Sequence, residues 1–228
     1  MDSNLQEFAN KAVKFATDAG VQYCDVRAEY QEKKSVLIEN QEIEHVKTTS
    51  DRGIGIRLIK NGVWSFSSIT DPKSFEEIKK TVDDTIRNSI HYGKDKKNEI
   101  DFYPNSNAKM KIDFPVLKNP GLEELIKIGL ECSKTISKTS RIIKSIINSQ
   151  YTTNSKYFVN SEGSEILQNF TDVIAEMIAI AHESGITQSV NATEGGRGGM
   201  EQITNTIYSK AEEISSRASQ LIDAKPAN

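Results

Sequence analysis

DRGIGIRLIKNGVWSFSS, residues 51–68, has the period of a strand and not of a helix. Ile54, Ile56 and Leu58 point one way while Gly55, Arg57 and Ile59 point the other, as a strand with one dominant buried face requires. Asn61-Gly62 then supplies the two positive φ angles of a type I′ turn. Val63, Trp64, Ser65 and Phe66 carry the chain back, so the stretch reads as a β-hairpin with the only Trp beside its turn. Both aromatic residues are expected in the core and not on a ligand-stacking platform.

Outward from the hairpin, the N-terminal side begins with Leu5, Phe8, Ala9, Ala12, Val13, Phe15 and Ala16 at helical spacing, which predicts an amphipathic helix over residues 3–19 stopped by Gly20. Alternation over 23–30, 35–38 and 43–48 predicts three further strands, for about five in the first third. On the other side Asp71 is read as a helix N-cap and Pro72 as the first helical residue, with Phe75, Ile78, Val82, Ile86 and Ile90 following at three and four. Periodicity vanishes over 94–118, a connector, and Asn119-Pro120 restarts a helix that runs to about Lys138. Strands are expected over 141–152, 157–161, 165–179 and 187–193, with a turn at Asn160 to Gly163, and a last helix over 201–224. Residues 165–182 also fit a helix, but Phe170, Val173, Ile174 and the neighbouring Thr residues suit a strand. The expectation is an α+β fold, with a mainly antiparallel or mixed sheet, or two such sheets, and helices packed on one face. The order helix, strands, helix occurs twice, in 1–93 and in 119–228, on either side of the connector.

With 228 residues, 36% of them hydrophobic, the chain can bury a substantial core. Its 29 Lys and Arg against 32 Asp and Glu leave no basic excess to attract nucleic acid or an anionic membrane. Cys24 and Cys132 are too few for a disulfide scaffold, which predicts a reducing compartment. Without a basic flank and apolar run at the start, or an apolar stretch of spanning length, a cytoplasmic location is expected.

The three histidines offer little chemistry. His45 ends a predicted strand, His91 ends a predicted helix, and His182 lies at a turn. His182-Glu183-Ser184-Gly185-Ile186 begins like the zincin HExxH, but Ile186 stands where the second ligand belongs. Both cysteines read as buried and inert. The unusual run is Glu194-Gly195-Gly196-Arg197-Gly198-Gly199-Met200-Glu201, ahead of the last helix. Glycines there let backbone N–H groups approach an anion or a peptide carbonyl, and Arg197 adds a fixed cation, so Gly195, Gly196, Arg197, Gly198, Gly199 and Glu201 are the candidate substrate-binding residues. A flexible strand-to-helix loop whose glycines merely avoid strain is the competing explanation.

Taken in order, Glu39-Asn40, Gly53-Ile54-Gly55-Ile56-Arg57, Asn61 to Ser68, Val159-Asn160-Ser161-Glu162-Gly163, Gly195 to Glu201 and Asp223-Ala224-Lys225-Pro226-Ala227 resemble the N-terminal portion of the TldD/PmbA proteins, known as modulators of DNA gyrase. The glycine-arginine run and the Ala-Lys-Pro-Ala ending look more like the TldD branch. The resemblance implies a longer metallopeptidase, whose C-terminal β-rich domain carries a His-Glu-x-x-x-His helix and zinc, and it implies that this chain is the N-terminal part alone. On that basis no catalytic residue and no metal ligand are expected here, zinc belongs to the full-length protein, and these residues gate small or unfolded peptides. The implied assembly is a homodimer or a TldD/TldE-type heterodimer. Two alternatives go with the resemblance: a non-catalytic, TldE-like partner or scaffold subunit, and a direct regulator of DNA gyrase, which the acidic balance disfavours.

Overall fold

Asn61 and Gly62 take φ of 53° and 72°, the pair of positive values that a type I′ turn needs, and Lys60 faces Val63 across it. The same geometry recurs at Asn40 and Gln41, with φ of 48° and 68°. These turns join the first three strands of a computed structural model that describes residues 3–92, 107–119 and 121–224. In chain order the elements are α1 (Ser3–Asp18), β1 (Tyr23–Glu39), β2 (Glu42–Lys60), β3 (Val63–Thr70), α2 (Phe75–Tyr92), β4 (Lys109–Asp113), α3 (Leu122–Ile136), β5 (Ile142–Asn160), β6 (Glu165–Glu183), β7 (Ile186–Arg197), α4 (Glu201–Thr204) and α5 (Ile207–Leu221). The strands form a seven-stranded sheet in the order β3-β2-β1-β5-β6-β4, with β7 also paired to β6. β4 runs parallel to β6 while β7 is antiparallel to it, so the fold is α+β with a mixed sheet.

Two units divide the chain. The first comprises residues 1–31, 50–113 and 154–169. Here Leu5, Ala9, Ala12 and Ala16 of α1 and Ile78 and Val82 of α2 meet Cys24, Val26, Ala28, Ile54, Ile56 and Leu58 of the strands. Small residues on α1 let the helix lie close to the sheet. The second unit comprises 32–49, 114–153 and 170–228. Its core joins Leu125, Ile128, Cys132 and Ile136 of α3 and Ala211, Ile214 and Ala218 of α5 to Val173, Ala175, Met177, Ala179 and Ala181, alternate residues of β6.

Several boundaries depart from the sequence reading. The five short strands expected early are the two long strands β1 and β2 followed by β3, because Gln31 to Lys34 and Thr49 to Arg52 stay extended where their polarity suggested breaks. β5 likewise fuses two expected strands. Residues 109–113, expected in the connector, are β4, while 93–106 lie outside the described residues. Asp71 is not the cap of α2: it has φ of 51° and pairs with Arg52 and Lys73. Ser74 is, accepting the Glu77 N–H at 3.3 Å, while the Glu77 carboxylate accepts the Lys73 N–H at 2.7 Å. Gly121, not Asn119, caps α3; Pro120, the His91 side chain and residues 225–228 fall outside the description. The last helix is two, broken at Asn205 and Thr206. Phe66 is 63% exposed and not core. The strand assignment for 165–182 holds.

Candidate functional site

The glycine-arginine run is largely the end of a strand, not a loop. β7 continues through Arg197, with Gly195 opposite Ile174, Gly196 opposite Val173 and Arg197 opposite Asp172. The β6–β7 hairpin turns at Ser184 and Gly185, with φ of 51° and 81°. In a two-residue hairpin the closing pair, here Glu183 and Ile186, exchanges both hydrogen bonds, so even-numbered residues of β7 face β6. The Gly198 N–H, which donates to the Thr171 carbonyl at 2.8 Å, keeps that parity. The backbone groups of Thr187, Ser189, Asn191, Thr193 and Gly195 therefore point away from β6, along an edge unpaired among the described strands. Gly195 is required by closeness: a Cβ there would overlap the Val173 carbonyl oxygen.

Arg197 is held on three sides. Its Nε donates to Asp172 Oδ1 at 3.1 Å, and its guanidinium carbon lies 4.0 Å from the centre of the Phe170 ring and 5.1 Å from that of Phe114. The two rings meet edge to face at 6.0 Å. Cation–π contact and ion pairing together fix the guanidinium. Beside it an open groove of about 580 Å³ is lined by Asp172, Ile174, Thr193, Gly195, Gly196 and Arg197.

The second half of the run is occupied by the chain itself. Met200 N–H donates to the Lys118 carbonyl at 2.9 Å, and Lys118 passes so near Gly199 that a Cβ there would overlap its carbonyl oxygen. The Glu201 carboxylate accepts N–H groups from Gly199 at 2.6 Å and Lys118 at 2.9 Å, with Leu117 at 3.4 Å. Burial opposes its charge, but backbone N–H groups of Gly199, Glu201, Lys118 and Leu117 outweigh burial and bring its pKa down to about 2. Capture of a peptide carbonyl and an anion by this run, anticipated for a ligand, is thus satisfied internally at Gly198, Gly199 and Glu201. Gly195, Gly196 and Arg197 are left facing the groove.

Sequence reasoning missed Asp172 and Phe170, which the β6–β7 register brings to the run, Phe114, which follows β4 and meets Arg197, and Thr193, two residues ahead of Gly195 on β7. It also missed a charge cluster in the first unit. Asp25, fully buried, accepts from Arg57 Nε at 2.8 Å and Nη2 at 2.7 Å, and Arg27 Nη1 lies 3.2 Å from its other oxygen. Arg57 stacks on Trp64 at 4.7 Å and Arg27 on Phe158 at 5.4 Å.

Two family models match the chain: PmbA/TldA metallopeptidase domain 1 over residues 24–89, and the PmbA/TldA metallopeptidase central domain over residues 115–222. The chain belongs to the PmbA/TldD metallopeptidase family. It is 27% identical over 213 residues to a metalloprotease of Methanocaldococcus jannaschii, covering 90% of this chain and 45% of that protein. A metalloprotease of Methanothermobacter thermautotrophicus is 25% identical over 210 residues, covering 90% of this chain and 44% of the relative. The chain therefore spans less than half the length of these two relatives. Its fold matches a Bacteroides thetaiotaomicron protein described as a modulator of DNA gyrase, with a TM-score of 0.79 at 17% identity over 100% of this chain and 52% of the other. TldE of Thermococcus kodakarensis matches with a TM-score of 0.66 at 14% identity over 95% and 47%.

A PmbA/TldD metallopeptidase needs metal donors, and the described residues do not gather them. No group of three or more His, Cys, Asp or Glu side chains is placed to hold an ion among them. His182 Nδ1 is 2.9 Å from the Thr187 hydroxyl, and Glu183 is paired with Arg141 at 2.8 Å. Burial pushes both Cys24 and Cys132 up to about 12, so neither is a thiolate at neutral pH. Among the described residues no helix is long and apolar enough to cross a membrane.

Proposed function

We propose that this chain is the substrate-gating and dimerisation portion of a TldD-like zinc-dependent peptidase acting on small or unfolded peptides, in the cytoplasm, as a homodimer or TldD/TldE-type heterodimer. The observation that carries this reading is the pairing of two family-model matches with relatives named metalloproteases that are more than twice as long as the matched region. The zinc ligands and the water-activating chemistry belong to residues outside the chain.

An extended peptide adds as a strand along the outer edge of β7, hydrogen-bonding to Thr193 and Gly195, and lies beside Gly196 and Arg197. Gly198 extends the pairing to Thr171, while Gly199, which Lys118 closely approaches, and Glu201, which accepts the Leu117 and Lys118 N–H groups, hold the adjoining chain in place. The Thr193 N–H faces away from β6 and is dispensable to the ladder, so Thr193→Pro tests the edge without breaking the hairpin. Titration of a labelled unstructured peptide is expected to show affinity reduced about tenfold in this variant, from one lost hydrogen bond and the clash of the ring. Unchanged affinity would place the peptide elsewhere.

A further inference from the structure

Gly195 leaves bare backbone directly opposite Ile174, on the face of the β6–β7 ribbon turned away from the core that Val173 and Ala175 share with α3 and α5. Ile174 is 39% exposed, although large and apolar, and with Gly195 and Thr193 it lines the groove beside the Asp172–Arg197 pair. A similar bare position in the first unit is covered. At Gly55 the ring of Phe66, diagonal to it across the β2–β3 ladder, lies so close that a Cβ on the glycine would stand 3.2 Å from the ring edge. Aromatic side chains settle over strand glycines because the flat backbone offers them contact that no neighbouring side chain obstructs. At Gly195 the nearest side chain is that of Ile174, and the nearby rings of Phe114 and Phe170 are engaged by Arg197.

Charge decides which class of side chain suits the space. Arg197 and Asp172, the two charged residues among the described lining of the groove, pair with each other, and the guanidinium already stacks on Phe170, so neither selects for an acidic or basic residue. A strand added to β7 presents every second side chain to this face. We propose that the peptide seats an aromatic side chain over Gly195 and against Ile174, making this groove a specificity subsite for aromatic residues. The inference rests on strand addition at β7, and goes beyond it by naming the recognised side chain.

The test is a series of labelled unstructured peptides identical except for one guest residue, Phe, Ala or Glu, titrated against the protein and its Thr193→Trp and Ile174→Ala variants. The Phe guest is expected to bind about tenfold more tightly than Ala, the gain from burying one ring in a partly apolar groove. Thr193→Trp places an indole in the groove and brings the Phe-to-Ala ratio near one, while Ile174→Ala lowers it by removing the wall. Equal affinities for Phe and Ala, tightest binding of Glu, or a ratio that both variants leave intact overturns the subsite while strand addition stands. Failure of every guest to bind overturns both.

Discussion

Glu201 shows how far one side chain can be read. Its position next to a glycine run marked it in the sequence, but its work is to hold Leu117, Lys118 and Gly199 by their N–H groups. Its folded-state carboxyl titrates at about 2. An unfolded glutamate titrates at about 4.3. The stabilisation is therefore complete above the unfolded value and is lost as pH falls towards the folded one. Glu201→Gln should melt below the wild type at neutral pH, and the gap should close as pH falls from above 4 to about 2 in thermal melts. A gap undiminished at the acid end would mean that the carboxylate is not the anchor. Asp25 makes a second test at this scale. Removing Arg57 leaves a buried carboxylate short of its main partner, so Arg57→Ala should cost about 3 kcal/mol in urea unfolding, and much less in an Asp25→Asn background. Equal costs in both backgrounds would deny the coupling. Neither the Asp25 cluster nor the Arg197–Asp172–Phe170–Phe114 group could be seen in the sequence, because their members meet only through strand register and cross-strand packing.

At the scale of elements, turns were more legible than strand ends. Asn61-Gly62 was plain because only a few residue types tolerate two successive positive φ angles, whereas Asn40-Gln41 makes the same turn with a residue that resists one. Opposite outcomes follow for two substitutions. Gly62→Ala, at φ of 72°, should destabilise by about 1 kcal/mol or more, while Gln41→Gly, at 68°, should stabilise by up to about 1 kcal/mol in equilibrium unfolding. Matching signs would show that the turns do not carry this strain. Strand ends misled for a physical reason: β1 and β2 pass through polar residues where neither face is fully buried, so alternation fades although the ladder continues. The final helix misled because apolar spacing persists across Asn205 and Thr206 while the backbone does not stay helical. The end of β7 was hidden because glycine is read as a strand breaker, yet Gly195 serves there as the residue that lets β6 come close.

For the molecule as a whole, the α+β class followed from helices and antiparallel hairpins in alternation, and the family followed from short motifs in a fixed order. The division into units did not, because each draws on separate stretches of chain and shares the long strands β1, β2, β5 and β6. The proposed division of labour gives peptide recognition to these residues and the metal that activates water to residues outside the chain. It is tested most directly by metal analysis and peptide-cleavage assays on the purified 228-residue chain, run alongside a longer form of the protein. The chain is expected to bind peptide without stoichiometric zinc or turnover, and the longer form to hold zinc and turn over; one zinc per chain, or cleavage by the chain unaided, would overturn this division.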